Sequence, residues 1–248
     1  DGRCKFGDAS GDGYVRSEGA ALVVLKPLER AMADGDRVYA VIRGGAINND
    51  GRRSGSLGTP SRAGQEDLLR RAYRDAGVAP SRVGYAEAHG TGTRAGDPVE
   101  LVALGAVLGE GRPEGARAKV GSVKTNIGHT EGAAGVAGLV KAALALHHEA
   151  IPPSLHCREP NPAIDWAALP LEIARERAAW PRGPAPRVAA VSAFGIAGTN
   201  AHIVLEEAPA VASHGKASVP DGDPVVLPLS ARSPDALRAL AARYADLL

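Results

Sequence analysis

From Pro60 onward the chain alternates short apolar runs with helix-length segments, and that alternation limits the folds open to it more than any other feature. Ser61 stands at an N-cap position, and the segment it opens predicts a helix to about Ala76, stopped by Gly77. Val83 to Ala88 reads as a short strand that runs straight onto His89. A helix is expected from about Asp97 to Leu108, a strand over Lys119 to Val123, and a small-residue helix from about Ala133 to His148. After a Pro-rich crossover from Ile151 to Pro162, Arg187 to Ser192 and Ala201 to Glu206 read as a pair of strands. This order implies an α/β layered core whose functional residues sit on loops leaving strand ends.

Either side of this region the pattern differs. Asp1 to Gly19 is rich in Gly, Asp and Ser and reads as loop, whereas Ala20 to Lys26 is a continuous apolar run that predicts a strand buried on both faces. A short helix over Pro27 to Ala33 and a strand over Val38 to Ile47 follow, the latter ending in the turn-rich Asn48-Asn-Asp-Gly51. Beyond Pro209 the chain becomes a polar linker from Ala210 to Pro224, then a strand-like run from Val225 to Leu229 and an amphipathic helix from Ser233. We place a domain boundary near residue 209.

Bulk properties exclude several classes. A net charge of +1 gives no concentrated basic face for nucleic acid or an anionic membrane. No apolar run reaches the roughly 18 residues of a membrane span, and no signal-peptide pattern is present, so a cytoplasmic protein is expected. Cys4 and Cys157 lie far apart without a CxxC partner, which argues against a disulfide or zinc framework.

Three constellations carry chemistry. In the first, Glu87-Ala-His89-Gly-Thr91-Gly-Thr93, a histidine at a strand end enters backbone whose glycines allow close approach to a ligand. The bland alternative is a loop histidine satisfied by nearby carbonyls. Asp97 is expected to hold or cap the next helix, and Glu100 to orient structure. The second is Gly121-Ser-Val-Lys124-Thr-Asn126-Ile-Gly-His129-Thr-Glu131, again between a strand and a helix. A buried Lys124 close to His129 would disfavour imidazolium and keep a neutral, donating ring. The alternatives are a helix cap without function and a phosphate loop, but no GxxxxGK[ST] pattern is present. The third, Phe194-Gly195-Ile196-Ala-Gly-Thr-Asn200, suits a tight turn presenting backbone N–H groups, as an oxyanion hole requires. His202, in the following strand, reads as a core histidine. Asp8-Ala-Ser-Gly-Asp12-Gly begins like a calcium loop but lacks the closing acid, and no histidine cluster has a third ligand, so no metal site is expected.

Together the three motifs, with Asp12-Gly-Tyr-Val-Arg-Ser-Glu-Gly19, Ile151-Pro-Pro-Ser-Leu155 and Glu206-Glu-Ala-Pro209, form an ordered set that resembles the β-ketoacyl synthase family, in particular the ketosynthase domains of modular type I polyketide synthases. The resemblance implies a thiolase-like layered fold, αβαβα in the complete domain. Residues 1–59 would be the end of its N-terminal half, 60–209 its C-terminal half, and 210–248 the start of a ketosynthase–acyltransferase linker. It further implies decarboxylative Claisen condensation of a cysteine-bound acyl group with a malonyl-type extender. His89 and His129 would bind the extender thioester carbonyl, Lys124 would support them, and the backbone around Ile196 would serve the oxyanion hole. Phe194, Gly195, Thr91 and Thr93 are placed at the oxyanion and acyl pocket, with Asp97, Glu100, Asn126, Glu131 and Asn200 in support. The implied partners are the other ketosynthase half, an acyl carrier protein whose phosphopantetheine holds the substrates, an adjacent acyltransferase domain and a second copy in a homodimer. No cofactor of the chain's own is expected. The family's nucleophilic cysteine sits in an elbow that precedes the region where this chain starts, so the chain alone is expected to be inactive. The competing readings are a non-catalytic structural or carrier-docking fragment and a non-decarboxylating thiolase. The paired histidine motifs argue against the thiolase, which has a second cysteine where one histidine stands.

Overall fold

The computed structural model describes residues 2–51, 59–210 and 228–245. The chain divides into two compact units, Asp1–Ala208 and Pro209–Leu248.

The first unit is built on a six-stranded mixed sheet. Its strands are β1 (Ala40–Asn49), β2 (Val83–Glu87), β3 (Ala118–Gly121), β5 (Leu171–Ile173), β7 (Val188–Phe194) and β8 (Thr199–Glu207), in the order β1-β8-β7-β2-β3-β5. The pairs β2–β7, β2–β3 and β3–β5 are parallel, whereas β8 runs antiparallel to both β7 and β1. β4 (Ala150–Ile151) and β6 (Ala178–Ala179) form a separate antiparallel pair.

Helices cover both faces, which explains why the central strands β2 and β7 are buried along most of their length rather than alternating. Val188 and Ala190 of β7 join one core cluster with Leu69 and Tyr73 of α2 (Arg62–Ala76) and Leu101 and Leu104 of α3 (Gly96–Leu108). Their neighbours Ala189 and Val191 join the opposite cluster, with Ala142 and Leu146 of α5 (Ala134–His147). α2 begins where its sequence predicts: the Ser61 hydroxyl accepts the Gly64 N–H at 3.1 Å, and Gly77 ends the helix at φ 62°.

Four features differ from the sequence reading. Ala20 to Lys26 forms no strand; Leu22 and Val24 are each 97% exposed, and no strand of the sheet lies beside them. The strand expected to Val123 ends at Gly121, because the Ser122 hydroxyl bonds the Gly90 carbonyl and the chain turns into α4 (Lys124–Ile127), a single helical turn. Asn48 and Asn49, read as turn, complete β1. No strand is expected between the small-residue helix and Arg187, but β4 opens the crossover and β5 and β6 follow it, each of two or three residues and too short to leave a periodic signal.

Two further α-helices are described. α1 (Leu28–Ala33) follows Pro27, and α6 (Pro234–Ala245) belongs to the second unit. Most of the run from Val225 to Leu229, and the polar linker after Ala210, lie outside the described residues. No helix among the described residues is long and apolar enough to cross a membrane.

Candidate active site

Three adjacent strands, β3, β2 and β7, end at the same edge of the sheet and deliver the three motifs there. β2 is the middle strand of the three, so its exit, His89, lies between the Ser122–Lys124 turn and Phe194. This is where an open α/β sheet generally binds its ligand. A cleft of about 850 Å³ opens there, lined by His89, His129, Thr91, Thr93, Phe194 and Ile196 among others.

The His89 and His129 rings stand 5.4 Å apart, centroid to centroid, at 79°. The Phe194 N–H donates to Nδ1 of His89 at 3.2 Å, and the Glu131 N–H donates to Nδ1 of His129 at 3.0 Å. A backbone N–H can only donate, so each Nδ1 is an acceptor and each neutral ring carries its proton on Nε2. Both rings are thus fixed as Nε2–H donors. Burial, then the charge of Lys124, then His129 hold His89 well below the usual histidine range. Burial and then Lys124 also lower His129, so both are neutral at neutral pH.

The frame around His89 is dense. The Glu100 carboxylate accepts the N–H groups of His89 at 2.7 Å and Gly90 at 2.8 Å, and burial pushes its pKa to about 7. Asp97 accepts the N–H groups of Gly7 at 2.8 Å and Gly92 at 3.0 Å, and burial raises it to about 6. The Thr91 and Thr93 hydroxyls are 3.1 Å apart, and Thr93 Oγ1 also accepts the Gly96 N–H at 3.1 Å. Gly90 and Gly92 have positive φ, 47° and 79°; a Cβ on Gly92 would stand 2.6 Å from the Lys5 nitrogen. Only glycine fits this loop without strain.

Lys124 is buried and donates from Nζ to the carbonyl oxygen of His89. It therefore meets the backbone of the first histidine rather than the ring of the second, and acts on both rings through its charge. Burial lowers its own pKa, opposed by Glu100 and Glu87.

In the β7–β8 turn, the Gly195 N–H bonds the Thr199 carbonyl at 2.7 Å and the Gly198 N–H bonds the Gly195 carbonyl at 2.9 Å. With the Phe194 N–H on His89, three of the turn's donors are engaged within the protein, and the expectation of a freely presented row narrows to the stretch around Ile196, whose side chain is 82% exposed. Asn200 is buried and donates to Asp50 at 2.8 Å and Asn48 at 3.2 Å. Asp50 also receives the Ser61 N–H at 3.2 Å, and its own N–H bonds the Gly198 carbonyl at 2.9 Å. Sequence reasoning took Asp50 for a turn residue and missed this anchor.

Tyr14 was also missed; its ring lies 4.9 Å from that of His129, and a loop position gave no signal for it. Arg16 pairs with Glu131 at 3.3 Å, so Glu131 supports the site through its backbone N–H while its side chain faces Arg16. Asn126, expected in support, is exposed, accepts from Thr125 at 3.3 Å and does not line the cleft.

His202 is fully buried between Ser192 at 2.9 Å and Tyr73 at 3.1 Å, as a core histidine should be. Asp8 accepts the N–H groups of Ser10, Arg158 and Glu159, which accounts for its place in the calcium-like sequence. Neither cysteine lines the cleft; Cys4 accepts the Val15 N–H at 3.3 Å, and burial pushes Cys157 up to about 11.

Comparison with known proteins gives this geometry a family. The profile of the β-ketoacyl synthase C-terminal domain matches residues 39–158, that of the ketoacyl-synthetase C-terminal extension matches 160–248, and that of the β-ketoacyl synthase N-terminal domain matches 1–31. The chain is 53% identical over 255 residues to polyketide synthase GfsA of Streptomyces halstedii, covering 99% of this chain and 3% of that protein. It is 48% identical over 248 residues to erythronolide synthase EryA3 of Saccharopolyspora erythraea, covering 100% of this chain and 8% of that protein. Among solved structures, ketosynthase twelve of the bacillaene polyketide synthase in Bacillus amyloliquefaciens superposes with a TM-score of 0.84 at 40% identity, covering 98% of this chain and 41% of that one. The chain thus spans a small part of those synthases and about two-fifths of one ketosynthase domain. Its sheet, helical layers and motif order make it a member of the β-ketoacyl synthase family, with the thiolase-like fold, corresponding to the C-terminal portion of a modular polyketide synthase ketosynthase domain.

Proposed function

We propose that this chain supplies the decarboxylating half of a ketosynthase site in polyketide biosynthesis. The observation that carries the reading is the pair of imidazoles, each accepting a backbone N–H at Nδ1 and each thereby committed to donate from Nε2 into one cleft.

The substrate on this reading is a malonyl-type unit carried as a thioester on the phosphopantetheine of an acyl carrier protein. The bond from its α-carbon to the carboxylate breaks, CO₂ leaves, and the electron pair enters an enolate whose charge gathers on the thioester oxygen. Two Nε2–H donors aimed at that oxygen stabilise it most where its charge is greatest, and they keep their protons. The enolate carbon then attacks the acyl thioester on the ketosynthase cysteine; the new C–C bond forms as the C–S bond breaks and thiolate leaves. Burial and then the charge of Lys124 keep both rings neutral, Lys124 pins the His89 carbonyl, and the backbone near Ile196 faces the oxygen of the acyl thioester.

Neither Cys4 nor Cys157 has the setting of an activated thiolate, so the nucleophile belongs to the remainder of the domain. Residues 1–59 then complete the N-terminal half, 60–209 form the C-terminal half, and 210–248 begin the linker to an acyltransferase domain, in a homodimer. In a ketosynthase domain carrying this chain, His89→Ala and His129→Ala should each slow malonyl-carrier decarboxylation by about 10²–10³-fold. Unchanged release of CO₂ in either variant overturns the assignment.

A further inference from the structure

The two histidines of the cleft and the lysine behind them leave three different elements. His89 follows β2, Lys124 follows the turn after β3, and His129 lies on the segment entering α5. Their mutual placement therefore depends on how β2, the 122–124 turn and α5 are registered. Glu87, the last residue of β2, touches all of it. Its Oε1 accepts the Val123 N–H, one residue before Lys124, and its Oε2 accepts the Tyr85 hydroxyl. From α5, Lys141 Nζ stands 2.8 Å from Oε2, and the two side chains are only 9% and 1% exposed. The helix comes close enough at Gly138 that a Cβ there would stand 3.1 Å from Glu87 Cγ.

We propose that the buried Glu87–Lys141 pair is a positioning device that sets the Lys124 turn and the His129 segment against His89. The proposal rests on the decarboxylating role inferred above. Glu87 acts through Val123: with that N–H anchored, the single turn of α4 starts in place and Lys124 Nζ reaches the His89 carbonyl. Lys141 acts through α5, fixing the helix that continues from His129 and Glu131 against β2, the strand that leads to His89. Neither residue lines the cleft with the histidines, so neither meets substrate.

The test uses two double variants of a ketosynthase domain carrying this chain. Glu87→Met/Lys141→Met removes the ion pair and the acceptor for Val123 while keeping volume. Glu87→Gln/Lys141→Met removes the ion pair but keeps an Oε1 acceptor. Neither leaves a lone buried charge. The Met pair should lower kcat for malonyl-carrier decarboxylation about 10–100-fold with KM within about 3-fold, because a small misplacement of reacting groups costs that much. The Gln variant keeps the Val123 anchor but loses the tie to α5, so its kcat should fall about 3–10-fold, less than in the Met pair, and acyl loading of the ketosynthase cysteine should be unchanged in both. Parallel losses in loading and decarboxylation, following the melting temperature, would make the pair merely structural and overturn the proposal. The imidazole ¹⁵N signals give a readout free of turnover: the Met pair should shift the Nδ1-acceptor signature of His89 and the Gln variant should preserve it. An unchanged signal in the Met pair overturns the proposal too. If that signal moves as expected while His89→Ala retains decarboxylation, the positioning stands and the functional reading falls.

Discussion

Lys124 Nζ donates to the carbonyl oxygen of His89, so the cation is fastened to the backbone of the residue whose ring burial and then its own charge keep neutral. A lysine bonded to the imidazole itself would need an unprotonated ring nitrogen, and Nδ1 is already occupied by the Phe194 N–H. The arrangement leaves Nε2 of His89 for a ligand. It also makes the charge of Lys124 a shared influence, since it disfavours imidazolium at both His89 and His129.

Replacing Lys124 by methionine should therefore raise the pKa of both histidines. With the cation gone, the imidazolium forms lose their repulsion and protonation begins at higher pH. The acid limb of the decarboxylation pH profile should move upward, and ¹⁵N titration of the two rings should move with it. A profile that falls in amplitude but keeps its acid limb would mean that Lys124 acts only by holding the His89 carbonyl.

How much of this could be read beforehand varies by residue. His89, His129 and Lys124 were legible because each sits in a short motif between a strand and a helix, and the strand–helix alternation already placed such loops at one sheet edge. The donor state of the rings was not, since it depends on Phe194 and Glu131 N–H groups that only the folded turn brings to Nδ1. Asp50 escaped because Asn48-Asn-Asp-Gly51 is ordinary turn chemistry, and its partner Asn200 is distant in sequence. The run from Ala20 to Lys26 failed for the opposite reason. Its composition is that of a buried strand, but burial needs a neighbour, and the sheet that ends on β1 and β5 supplies none.

The glycine after His89 makes a separate demand. Gly90 sits at φ 47°, and a Cβ there would stand 2.6 Å from Ser122 Cβ and 2.9 Å from a ring carbon of Phe6. Gly90→Ala adds left-handed strain to a contact between two buried neighbours, neither of which can swing clear. The cost should be about 1–3 kcal/mol of stability, read as a lower urea midpoint with unchanged m-value. Decarboxylation should fall more than stability predicts, because the Ser122 hydroxyl bonds the Gly90 carbonyl and Glu100 holds the Gly90 N–H. Activity retained at parental level would show that the loop relaxes without moving His89.

His202 makes the stability of the fold depend on pH. It is buried with its ring between Ser192 and Tyr73, and burial lowers its pKa from 6.5 to about 3. The unfolded chain therefore binds a proton that the folded one refuses. That contribution to stability is complete above about pH 6.5 and declines as pH falls toward 3, by at most about 1.4 kcal/mol per pH unit. Glu100 and Asp97 work in the opposite sense, since their folded pKa values are raised to about 7 and about 6 and they favour the folded state as pH falls through those values. The measurement must be a difference. Urea unfolding of the parent domain and of His202→Gln, compared between pH 7.5 and 5, should show the parent losing about 2 kcal/mol more than the variant. Parallel pH slopes in the two proteins would mean that His202 accepts its proton without unfolding, and that the Ser192–Tyr73 cradle can hold an imidazolium.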